Sequence, residues 1–242
     1  MKWNSFIAAF IALLLSSCLD CREEVWLNPD GSGRIDISYT LPAAVAKLQG
    51  GEEGIRNMLG KALVANDVIK SPRYEVITLG DRLTIRVRAA FHSALDLKRA
   101  TGGAEMGKLP SSAANLAGKV EAKLSGRSIA FKRTITAGAA LPGAFFMPPS
   151  SFKGHQLTYI IHLPIAAKHS NATHTEDSGR SLIWEIPLDK AIQKPVTTEF
   201  VAEIPVPKWF IPAAVGSSIF ILIFMIYIWR RLRQRKANLN GD

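Results

Sequence analysis

Residues 209–229 run for twenty-one positions without a charged side chain. As a helix rising ~1.5 Å per residue they reach about 31 Å, the thickness of the hydrocarbon layer of a bilayer. Pro212 falls in the first turn, where its missing N–H costs little, and Trp209 and Trp229 stand at the two ends, where amphipathic rings favour the headgroup level. Arg230, Arg231, Arg233, Arg235 and Lys236 follow at once. Positive flanks stay cytoplasmic, so the sequence predicts one transmembrane helix over 209–229, a basic cytoplasmic tail over 230–242 and an extracytoplasmic location for what precedes them. A terminal helix with a basic tail also resembles a bacterial C-terminal sorting signal, although no recognition motif stands before it.

The other end carries a second membrane signal. Lys2 is followed by an apolar run over 6–15, which at ~1.5 Å per residue is about half a bilayer and suits a signal-peptide core. Leu15, Ser16, Ser17 and Cys18 match the lipobox pattern, in which a cysteine is acylated before cleavage, so 1–17 read as a lipoprotein signal peptide and Cys18 as the lipidated first residue. Cys21 cannot take that role, because Asp20 would occupy the small-residue position. These two are the cysteines of the chain, too close in sequence to staple a fold, so stability must come from a core.

The net charge of +10 suggests nucleic acid until it is divided. Residues 18–208 hold 24 Lys and Arg against 19 Asp and Glu, and much of the excess sits in the tail after the apolar span. No nucleic-acid partner is expected.

Residues 18–208 read as one domain. Strand-favouring runs at 23–27 and 34–39 flank the turn Asn28, Pro29, Asp30, Gly31, Ser32, Gly33 and predict a hairpin. Helices are predicted over 41–48, over 52–63, where Ile55, Met58, Leu59, Ala62 and Leu63 recur at helical spacing, and over 93–100 behind Ser93. Residues 74–79 and 83–89 pair around Gly80 and Asp81, with Leu83, Ile85 and Val87 facing one way and Arg82, Arg86 and Arg88 the other. Val120, Ala122 and Leu124 alternate, and Ile129, Phe131 and Ile135 alternate again after Ser125 and Gly126. Strands over 157–163, 182–186 and 196–204 bring the total to about nine. The predicted fold class is α+β, an antiparallel curved sheet with about three helices. Both tethers to the membrane are under ~20 Å at ~3.6 Å per residue, which holds the domain against the bilayer.

No motif for catalysis, metal or cofactor survives inspection. Residues 102–108 imitate the glycine and lysine spacing of a phosphate loop, but Leu109 and Pro110 follow where Ser or Thr and a helix are needed. The turn at 28–33 imitates the start of a calcium loop, yet Tyr39 stands where the bidentate Glu belongs. His162, His169, His174, Glu176 and Asp177 match no zinc spacing. A triad assembled only by the fold stays open. The uncharged stretch 137–151 presents Phe145, Phe146 and Met147 between Lys132, Arg133 and Lys153. Such a segment either dips into an anionic membrane surface, with the cations at its rim, or folds back as a plug over its own core.

The order of these features, lipobox Cys18, a first strand leading into Asn28, Pro29, Asp30, Gly31, Ser32 and Gly33, an α+β ectodomain, and a terminal helix with a basic tail, resembles the LppM-like bacterial lipoproteins. The resemblance implies a curved sheet with helices akin to lipid-handling folds, affinity for membrane glycolipids and no catalytic residues. The expected function is a non-enzymatic, membrane-anchored ectodomain that binds membrane lipids or a membrane protein partner. The alternatives are an extracytoplasmic hydrolase, marked by convergent Ser, His and carboxylate groups, and an assembly or sensing subunit using the tail.

Overall fold

The computed structural model describes residues 20–64, 68–97, 115, 118–140 and 148–203. Eleven strands form two sheets. β1 (Asp20–Leu27), β2 (Gly33–Pro42), β3 (Ile69–Leu79), β4 (Arg82–Phe91), β7 (Gln156–His162), β9 (His174–Glu176) and β10 (Ser181–Pro187) make a seven-stranded sheet in the order β3-β4-β2-β1-β7-β10-β9. β5 (Lys119–Ser125), β6 (Ser128–Ile135), β8 (Ala167–Ser170) and β11 (Val196–Glu203) make a four-stranded sheet in the order β5-β6-β11-β8.

This corrects the predicted class. Among the described residues the domain is mostly β with two sheets, and its helices are α1 (Ala43–Lys47), α2 (Gly51–Val64), α3 (Ala137–Ala140) and α4 (Leu188–Ala191), with Leu97 and Asn115 also helical. Only α2 exceeds two turns. Of the helix predicted behind Ser93, residues 94–96 are turn and Leu97 is helical, with 98–100 outside the described residues. Hairpin signals reveal which strands are neighbours in sequence and say nothing of how many sheets those hairpins join. The antiparallel rule also has one exception, since β1 lies parallel to β7. Among the described residues no helix is long and apolar enough to cross a membrane; the predicted span 209–229 lies outside them, as do 1–17, Cys18 and the tail.

Period-two alternation explains how the layers meet. Cys21, Glu23 and Val25 of β1 share one face with Leu157, Tyr159 and Ile161 of β7 directly opposite them. That inner face is covered twice. Over β2, β4 and β3, α1 and α2 bring Ala46 and Ile55 against Val76 and Leu83. Over β1, β7 and β10, the small sheet brings Phe200 and Ala202 into a core with Val25, Tyr159, Ile161 and Trp184. Ala137, Phe152, Leu188 and Ala191 form a smaller cluster with Ile186 and Val196. Asn171 binds the layers: its Oδ1 accepts from Trp184 Nε1 and from the Glu199 N–H, both at 2.8 Å.

The helix α2 is fastened to the edge strand by polar groups. Glu52 accepts from Arg56 at 2.6 Å and from the Thr78 N–H at 3.0 Å, and Arg56 donates to the Val76 carbonyl at 2.9 Å. In the β1–β2 turn the Asn28 N–H donates to Ser32 O at 2.8 Å, and Ser32 donates to Asp30 from both N–H and Oγ. Asp30 is thus spent on the turn, and Gly31 supplies the φ of +84° that closes it.

Gly33 is demanded by space. A Cβ there would collide with the Trp26 carbonyl oxygen and the Phe91 ring. Gly33→Ala should cost about 1–3 kcal/mol, the usual range for overpacking, measured by denaturant unfolding; an unchanged midpoint would refute the close approach.

Candidate functional site

The centre of the domain is polar. Glu23 of β1 and Arg133 of β6 form an ion pair between the two sheets, with side chains only 5% and 6% exposed. The Tyr39 hydroxyl of β2 donates to the same carboxylate, and the guanidinium lies 4.7 Å from the Tyr159 ring centroid, in cation–π contact. Burial opposes the Arg133 charge, but Glu23 together with Tyr159 and Tyr39 more than offsets it, and the proton is held more tightly than usual. Burial, then Glu23 and Asp20, push the Cys21 thiol up to about 12. Burial likewise raises Tyr39, and Tyr159 to about 12. The thiol and the two phenols around the ion pair are therefore neutral at neutral pH. Thr198, in register with Arg133 on β11, keeps a buried Oγ1 with no partner among the described residues.

Arg133 was expected at the membrane rim of the 137–151 stretch and is instead interior. The pattern holds the reason: Ile129, Phe131, Arg133 and Ile135 are one alternating face, so a cation in that series points into the core. Glu23 occupies the same place among Cys21, Val25 and Leu27. Lys132 points outward, directly between Glu121 of β5 and Glu199 of β11, a cross-strand arrangement of opposite charges. These residues border a groove of about 440 Å³ on the outer face of the small sheet, with Ala130 and Val201 on its floor. Lys153 is exposed beside the 3-10 turn Pro149–Phe152. Ala137 and Phe152, near the ends of the stretch, are buried; Phe145, Phe146 and Met147 lie outside the described residues, as do 102–108.

The fold does gather a serine, a histidine and carboxylates, on the outer face of the large sheet. His162 Nε2 sits 2.7 Å from Glu24 Oε1 and Nδ1 sits 2.9 Å from Ser181 Oγ. Ser181 donates its own proton to Asp177, so it can only accept from His162. Both ring nitrogens thus lie against oxygen partners. Burial works against the Glu24 charge, but hydrogen bonds from His162 and Arg22 hold its carboxyl below the usual range. Trp26 stacks on His162 at 5.2 Å, and Arg34 lies 4.1 Å from the Trp26 ring centroid. A serine nucleophile must give its proton to the imidazole; here it gives it to a carboxylate and is 2% exposed. His174 Nε2 is 4.0 Å from Glu185, and among the described residues no three metal-binding side chains converge.

Two outcomes test the central pair. Glu23→Gln or Arg133→Met alone should cost about 3–5 kcal/mol, whereas Glu23→Leu with Arg133→Met should cost less than either, because an uncompensated buried charge is worse than none; additive losses in denaturant melts would refute this. The second concerns pH. The Cys21 thiol is raised from an ordinary 9.0 to about 12, so the stability gained by keeping it neutral is intact below pH 9 and is lost as pH climbs from 9 toward 12. Unfolding free energy should fall there by about 1.4 kcal/mol per pH unit for each such group, and Cys21→Val should reduce that slope.

No protein-family model and no curated protein matches the chain. Among solved structures, the chain is similar to the folded domain of LppM from Mycobacterium tuberculosis, determined by NMR, with a TM-score of 0.50. The match covers 79% of this chain and 92% of that domain at 10% identity, so the likeness is one of fold.

Proposed function

We propose that the protein is a membrane-anchored extracytoplasmic lipoprotein whose domain acts without catalysis, binding lipid at the membrane surface. The observation that carries the reading is the coincidence of two independent features: a fold like that of the LppM domain, and a sequence with a lipobox cysteine at one end and an uncharged span with a basic flank at the other. The strands bring the first anchor close. β1 begins at Asp20, so at ~3.6 Å per residue acylated Cys18 stands within ~7 Å of the sheet. One acyl chain anchors only marginally, and the 209–229 helix supplies the remaining attachment.

The hydrolase alternative rests on the His162, Ser181 and Glu24 cluster and is disfavoured by the direction of the Ser181 hydrogen bond. A serine-reactive fluorophosphonate should leave Ser181 unlabelled in the folded protein, and labelling abolished by Ser181→Ala would favour hydrolysis instead.

The anchoring reading predicts three results together. Intact mass of the purified protein should show an acylated Cys18 terminus, Cys18→Ser should accumulate uncleaved precursor that stays membrane-bound, and a reporter active only outside the cytoplasm should work between Gly126 and Arg127, at the β5–β6 turn, and fail after Asp242. An unmodified terminus elsewhere, or the opposite reporter pattern, would refute it.

A further inference from the structure

The outer face of the large sheet divides by charge. Residues paired directly across antiparallel strands share a face. In the β2, β4 and β3 half that rule places Arg34, Lys70, Arg73, Arg82, Arg86 and Arg88 together on the side away from α1 and α2, all of them exposed. Against these six cations the same region offers two acids, Asp36, which Arg88 binds at 3.0 Å, and Glu75, opposite Arg86. Arg73 stands directly opposite Arg88, and like charges so placed repel. Five of the six are arginines, whose planar fork matches phosphate oxygens two at a time.

Two aliphatic side chains share this face. Ile77 and Leu79 on the edge strand β3 are 50% and 82% exposed, opposite Thr84 and Arg82. Large apolar side chains amid arginines on a flat surface are what enters the boundary between headgroups and acyl chains.

The two ends of the described domain lie apart along the strand direction. Cys21 packs with Ile135, and Ile135 pairs with Val196, the first residue of β11. The chain thus enters the described domain beside the start of β11 and leaves it at Glu203, some 23 Å further along at ~3.3 Å per residue. Short tethers at both points favour a sheet face over one end of the strands as the membrane contact. The outer face of the small sheet suits the contact less well, because Lys132 stands between two glutamates, Lys119 pairs with Glu121 at 2.9 Å and Lys168 with Glu203 at 2.7 Å.

We infer that the outer face of β2, β4 and β3 is the docking surface for an anionic bilayer, its arginines on lipid phosphates and Ile77 and Leu79 in the interface. The inference rests on the membrane-surface reading above and names the surface that reading leaves open.

The test uses the full chain in vesicles of phosphatidylcholine and phosphatidylglycerol at about 7:3. Ala90→Cys on this face and Ala130→Cys on the outer face of the small sheet each receive a fluorophore, Cys21 being protected by burial, and quenching by a lipid-borne quencher is compared. Quenching at position 90 should exceed that at 130 at least threefold. Arg73→Glu with Arg86→Glu, or pure phosphatidylcholine, should reduce it to the level at 130, and Ile77→Ser with Leu79→Ser should reduce it at least twofold. Equal or greater quenching at 130 in protein that still floats with the vesicles would overturn the docking face and leave the membrane reading standing. Protein that fails to float would overturn both.

Discussion

A buried ion pair between two sheets sets the terms for everything around it. Glu23 and Arg133 are 110 residues apart in sequence and meet where the helix-covered and sheet-covered halves of the large sheet adjoin. Desolvating two charges costs several kcal/mol per ion unless geometry and further hydrogen bonds repay it. Tyr39 and Tyr159 supply the hydrogen bond and the aromatic contact. The pair also restricts how the layers slide, since a shift of one residue would carry Arg133 out of the core and a partner out of reach. Neighbouring Cys21 and the two tyrosines are held neutral around it.

The same alternation that buries this pair leaves the opposite face of the sheet divided by charge, with Ile160 and Ile183 buried in its β7 and β10 half. Toward β3 it is cationic; toward β9 it carries Glu24, Glu185 and Glu176 with His162 and His174. A single sheet thus presents both signs, and only its cationic half also exposes large aliphatics. Lys132, the cation sequence reading placed at a membrane rim, is flanked by acids and contributes little field.

Local signals were read well and long-range ones were not. The Asn28 to Gly33 turn, the α2 stripe through Ile55, Met58 and Leu59, and the outward Arg82, Arg86 and Arg88 follow from turn chemistry and periodicity, which need only neighbours in sequence. The second sheet did not follow, because nothing in β6 or β11 alone says whether it extends the first sheet or stacks on it. β8 and β9 hid in a polar stretch around His174, where short exposed strands have no alternation to show. Arg133 was misplaced for a different reason: its charge drew attention to the neighbouring apolar stretch, while its slot between Phe131 and Ile135 already marked it as interior.

The parallel pairing of β1 with β7 has a consequence for how the chain matures. β1 is an inner strand of its sheet, yet β7 lies well past the middle of the chain. As the chain emerges during synthesis, β1 can pair with β2 at once but must wait for most of the protein before its other edge is closed. In that interval the Glu23 carboxylate has no cation and the β1 edge is open to other chains. A polypeptide interrupted just before β7 would lack three of the seven strands of its large sheet and leave the inner edge of β1 open.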